Sequence, residues 1–114
     1  MALGATHWNF RADVRRKADA LAANRDVTYN TYVDHPFPGW DRRSVDFWGP
    51  GGRGDPIARI DGRGIWTQLM RHRGEWGVRH IIFERRWWTN WAGELEWESD
   101  DHSGDLRHVH VTFL

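Results

Sequence analysis

The sequence predicts an α+β domain built as a small, mainly antiparallel sheet with helices packed on one of its faces. Two observations carry this. Two segments repeat apolar residues at helical spacing, while five shorter ones are rich in β-branched and aromatic residues. The order helix, strand, strand, helix, strand, strand, strand is that of a layered α+β fold.

Arg11 to Asn24 is Ala-rich and free of Gly and Pro, with Val14, Ala18, Leu21 and Ala22 on one face, so it reads as an amphipathic helix. Val27 to Val33 alternates β-branched and aromatic residues with polar ones and reads as a strand, broken by the two prolines and the glycine of His35 to Trp40. Ser44 to Trp48 is a short strand, and Gly49 to Asp55 is an irregular loop. Pro56 suits the first turn of a second helix, whose stripe Ile57, Ile60, Ile65, Leu69 and Met70 runs towards His72. Gly62 and Gly64 weaken its middle, and a start near Gly64 is the alternative. Val78 to Glu84 is a strand paired with Trp87 to Trp91, Glu94 to Asp105 an acidic loop, and Arg107 to Phe113 the terminal strand.

The chain has 114 residues, the size of one domain. Lys+Arg and Asp+Glu balance at 16 each, so no overall field draws it to nucleic acid. There is no cysteine, which excludes thiolate zinc sites and a cysteine nucleophile; a metal has to be held by His and carboxylate. No apolar run reaches the length of a membrane span, and Met1 to Phe10 lacks the pattern of a signal peptide. The expectation is a monomer without membrane insertion, cytoplasmic as made, with release or export open. Nine tryptophans and seven histidines are high for this length. Most of the tryptophans are expected in the core, with others lining a groove.

In the terminal strand, His108 and His110 leave one face together while Val109 and Val111 leave the other. Two imidazoles on one face make a metal corner, and His35, Asp46 and His102 are the further candidates. Asp101 and Asp105 are the carboxylates nearest in sequence to accept a proton. Each has a plainer alternative: Asp46 as a partner for Arg43, His35 as a turn residue before Pro36, His108 and His110 as decoration of an edge strand. His72 and His80 read as surface or core residues, and His7 lies near the terminus. Arg53-Gly54-Asp55 is too short a match to carry weight, and Gly49 to Gly54 lacks the Lys-Ser/Thr of a phosphate loop.

His35-Pro36 followed by Ser44-Val45-Asp46, then Arg79 to Trp88, then Asp101-His102 and His108-Val109-His110-Val111, resembles the zinc D-Ala-D-Ala carboxypeptidase and L-Ala-D-Glu endopeptidase superfamily. Those peptidases, which include phage endolysin modules, cleave cell-wall peptides and have the Hedgehog/DD-peptidase fold. The resemblance spans about Val27 to Phe113. It implies zinc held by His35, Asp46 and His110, with His108 beside the metal. His35 and Asp46 stand farther apart than in the family motif, so Pro38 to Asp41 has to bulge out. Arg107 occupies the position, relative to His110, of the family's catalytic carboxylate. In the other register His108 is the ligand and Asp105 the base, and Asp101 or His102 could also take that role.

The resulting expectation is zinc-dependent hydrolysis of peptide bonds in peptidoglycan-type peptides. Asp105 or Asp101 would act as base and His108 as a catalytic neighbour, with Arg42, Arg43 or Arg107 holding a substrate carboxylate and the tryptophans of Trp87 to Trp91 walling the cleft. The alternatives are a metal-containing binding domain without catalysis and a Trp-rich partner-binding module.

Overall fold

A computed structural model describes residues 6–32 and 40–114. The first helix, α1 (Ala12–Ala22), buries Val14, Ala18 and Leu21, one residue from each successive turn. The second, α2 (Arg59–His72), buries Gly62, Ile65, Trp66 and Leu69. Among the described residues seven strands form one sheet: β1 (Thr6–His7), β2 (Thr28–Tyr32), β3 (Ser44–Trp48), β4 (Val78–Phe83), β5 (Arg86–Thr89), β6 (Gly93–Glu96) and β7 (Val109–Phe113). Their order is β1-β2-β3-β7-β4-β5-β6, and every neighbouring pair is antiparallel.

The pleat sorts the strand residues. Val45 and Phe47 of β3, Ile81 and Phe83 of β4, and Val109, Val111 and Phe113 of β7 pack with the buried faces of both helices into one core. Their alternates, Ser44, Asp46, Trp48, His80, Ile82, His110 and Thr112, occupy the opposite face. The helices thus cover one face and leave the other to polar side chains and tryptophan. Among the described residues no helix is long and apolar enough to cross a membrane.

Four elements depart from the sequence reading. The second helix starts at Arg59, well before Gly64, because Gly62 is fixed by packing: a Cβ there would stand 2.3 Å from Phe83 Cζ. Gly93 to Glu96, expected as loop, is an edge strand exposed along its length, so its acidic composition hides the pairing with β5. Strand β5 stops at Thr89, short of Trp91. His7 lies in β1, paired with Thr31. The β4–β5 hairpin turns through Glu84 (φ 49°) and Arg85 (φ 67°), a left-handed pair that ordinarily favours Asn-Gly. Ion pairs hold both: Glu84 to Arg59 at 2.9 Å and Arg85 to Asp100 at 2.7 Å.

Candidate functional site

Strands β3 and β7 are adjacent and antiparallel with Asp46 directly opposite His110 and Ser44 opposite Thr112. That register places a carboxylate and an imidazole at the sheet centre, on the face away from the helices. His110 Nδ1–H donates to Asp46 Oδ1 at 2.8 Å. His108 Nε2 stands 3.8 Å from the same oxygen, while its Nδ1–H donates to the Leu106 carbonyl at 2.6 Å, which fixes its tautomer. His110 Nε2 lies 3.0 Å from Thr112 Oγ1, and Thr112 Oγ1 in turn 2.8 Å from Ser44 Oγ.

Strand β4 adds His80, whose Nε2 is 3.3 Å from His110 Nε2 with the rings stacked. The sequence reading left His80 out of the site. A register shift between Val78 and His80 explains this, since it breaks the alternation that would otherwise put both on one face. From the loop after β6, His102 lies over His108 with ring centroids 4.3 Å apart and planes tilted by 32°. Its Nδ1–H donates to Asp101 Oδ1 at 2.6 Å, an oxygen that also accepts Trp97 Nε1–H at 2.8 Å. Three imidazoles, His102, His108 and His110, thus surround one buried carboxylate, and His80 backs the far side of His110.

Electrostatics follow from this packing. Burial by itself raises the Asp46 pKa, but the hydrogen bond from His110 and the surrounding imidazoles outweigh it and hold the carboxyl at about 2. His102 moves the other way: burial, then the proximity of His108 and His110, lowers it to about 4 against the pull of Asp101 and Asp46. Burial also lowers His108. His102 is therefore neutral at physiological pH, its Nδ1–H held by Asp101 and its Nε2 left as a proton acceptor.

Tryptophans rim the cluster. Trp48 stacks on His108 at 4.0 Å, Trp97 meets His102 edge-on at 5.7 Å, and Trp40 and Trp91 approach His80 at 5.8 and 6.3 Å. Trp88 packs against the helix-side core, so the stretch expected to wall the cleft is split between the two faces of the sheet.

The structure brings Asp46, His108, His110, Asp101 and His102 together. Asp105 is exposed on the short turn Gly104–Leu106, with no hydrogen bond to the cluster among the described residues. Arg107 is engaged elsewhere, its Nε–H donating to the Ile57 carbonyl at 2.6 Å. Arg43 lies over the Trp40 ring at 5.6 Å, and Arg42 is exposed. His35 lies outside the described residues.

The donor types, one carboxylate with neutral imidazoles and no thiolate, suit zinc. Among the described residues no group of three His, Asp or Glu side chains is placed to hold a metal. No family model matches the chain, and neither a curated protein nor a solved structure matches it.

Proposed function

We propose that this protein is a zinc-dependent hydrolase of peptide bonds in peptidoglycan-type peptides, related to the D-Ala-D-Ala carboxypeptidase and L-Ala-D-Glu endopeptidase enzymes that its motifs resemble. The reading rests on one observation above all: Asp46, a buried carboxylate held ionised, sits opposite His110 and beside His108 on the sheet face that the helices leave open. An ionised carboxylate is costly to bury unless it serves charged or hydrogen-bonding partners, and metal ligation is a use that matches all its neighbours.

In this reading the ligands are those the resemblance implies, Asp46, His110 and His35, and the His110 Nδ1 proton that is now shared with Asp46 would be displaced by zinc. His108, oriented by the Leu106 carbonyl, stands beside the metal as the resemblance implies. Zinc when bound supplies a Lewis acid that polarises the scissile carbonyl. The protein's own part in proton transfer falls to His102. Asp101 holds its Nδ1–H, and burial keeps it neutral, so its Nε2 can accept a proton from an attacking water and return it to the leaving amine. That role replaces Asp105 with the Asp101–His102 pair, which touches the cluster. The tryptophans around the imidazoles exclude water from one side of the cleft and offer flat surfaces to substrate.

The test is cleavage of a D-amino-acid-containing wall peptide by the zinc-loaded protein, beside an all-L control. Release of product from the first and not the second supports the reading. Zinc binding without product from either over long incubation gives the chain instead to the class of metal-containing binding domains.

A further inference from the structure

The exposed side of α2, remote in the fold from the imidazole face, carries Arg63, Thr67 and Arg71 at intervals of four residues, while Ile65, Trp66 and Leu69 of the same helix are buried in the core. At the end of α1, Asn24 adopts φ 61° and turns the chain so that Arg25 lies against α2. Arg25 Nη1 donates to the Leu21 carbonyl at 2.7 Å and to Gln68 Oε1 at 3.0 Å. Gly64 makes room for it: a Cβ there would stand 2.9 Å from Arg25 Nη2 and 3.1 Å from Nε. These residues line an open cleft of about 400 Å³.

Its charge is one-sided. None of the lining residues is acidic. Both acceptors of Arg25 are neutral, and among the described residues no carboxylate pairs with Arg25, Arg63 or Arg71. His72 at the edge is already paired with Glu75 at 3.3 Å and stacked on Trp76. Three guanidinium groups therefore share one concavity in a chain whose formal net charge is zero. Like charges gathered without compensation raise the energy of the empty cleft, and an anion entering it relieves that cost.

We propose that this cleft binds a soluble ligand carrying two or more linked phosphate groups. Each guanidinium presents a planar fork that matches phosphate oxygens in pairs, and a single carboxylate satisfies only one such fork. Along the helix, Arg63 and Arg71 start about 12 Å apart, a span that a condensed phosphate or a phosphate diester chain covers and a lone phosphate does not. Arg25, fixed by Leu21 and Gln68, forms the floor, and the Thr67 hydroxyl adds a donor between the two outer arginines. The ligand enters a concave site, which favours a small soluble group over a flat bilayer surface. This site is independent of the hydrolase reading.

Calorimetric titration of inorganic tripolyphosphate into the whole chain, at low salt and with chelator present to remove metal as a source of heat, tests the proposal. Expected is saturable binding with about one ligand per chain, weakened by added salt. Arg63→Gln combined with Arg71→Gln should weaken it by at least about tenfold, since charge-assisted hydrogen bonds are lost. Gly64→Ala should weaken it as well by displacing Arg25, while Arg16→Gln, which removes an exposed arginine of α1 that does not line the cleft, should bind as the wild type does. Both arginines are exposed, so the double variant keeps the fold even if Gly64→Ala does not. Absence of saturable binding, equal affinity in the double variant, equal affinity for citrate, or an equal loss of binding in Arg16→Gln would each overturn the assignment.

Discussion

Asp46 and His110, 64 positions apart in the chain, face each other across β3 and β7 and share a 2.8 Å hydrogen bond at the centre of the sheet. The contact is made by register: a slip of one residue in either strand would turn that strand's polar side chain, Asp46 or His110, into the hydrophobic core. Fold and site are thus set by the same pairing, because Val45, Phe47, Val109 and Val111 must face the helices.

Removing Asp46 therefore affects stability as well as any metal. Asp46→Ala leaves the buried His110 Nδ1–H without its acceptor and should cost about 2–4 kcal/mol, read from urea unfolding in metal-free buffer. A loss below about 0.5 kcal/mol would show that the carboxylate does not organise the cluster.

Acid should unfold the metal-free protein early. The imidazole of His102 titrates near 4 when folded against 6.5 ordinarily, so between those values the unfolded chain binds more protons. Stability is then full above pH 6.5 and falls as pH drops towards 4, by up to about 3 kcal/mol from this residue. His108, also lowered by burial, acts in the same direction. Asp46 adds a second, lower window: its contribution is present above the ordinary carboxyl value of 3.8 and is lost as pH falls through about 2. Urea midpoints measured from pH 7.5 to 4 should decline in the wild type and decline less in His102→Gln, and a flat wild-type profile would contradict this.

Gly62→Ala tests the packing of α2. Alanine favours a helix over glycine by about 1 kcal/mol, but its methyl group would strike the Phe83 ring, and overpacking costs about 1–3 kcal/mol. The variant should be less stable than the wild type, and Phe83→Leu should recover part of the loss in the double variant. Stabilisation by Gly62→Ala alone would mean that the ring has room to move.

If the protein hydrolyses peptides, the Asp101–His102 pair should carry proton transfer. His102→Ala, or Asp101→Asn with its altered hold on the imidazole, should lower the rate by about a hundredfold to ten-thousandfold with zinc content unchanged. Asp105→Asn, on an exposed turn, should leave the rate within about twofold. The reverse pattern would return the role of base to Asp105.

Much of this arrangement is legible in the sequence where alternation is strict. Ser44-Val45-Asp46-Phe47-Trp48 and His108 to Phe113 declare both their strands and the faces on which Asp46, His108 and His110 lie. Legibility fails where a local signal is overridden by something distant. Gly62 reads as a helix breaker because Phe83, which requires it, is far along the chain. The edge strand Gly93–Glu96 carries no apolar face because nothing covers it. His80 enters the site through a register shift, which no periodicity announces. Arg107 reads in the sequence as available for substrate, and its tie to the Ile57 carbonyl is a contact between distant segments.

The most direct measurement is the zinc content of the zinc-replete, dialysed protein, taken beside calorimetric titration of zinc into its metal-free form. Expected is about one zinc per chain, lost in Asp46→Ala and in His110→Ala, retained in large part by His108→Ala, and released as pH falls through the histidine range. His80→Ala shows whether the neighbouring Nε2 is a ligand or a hydrogen-bond partner of His110. A wild-type protein that is folded, holds no zinc and takes up none on titration would contradict the account at its centre.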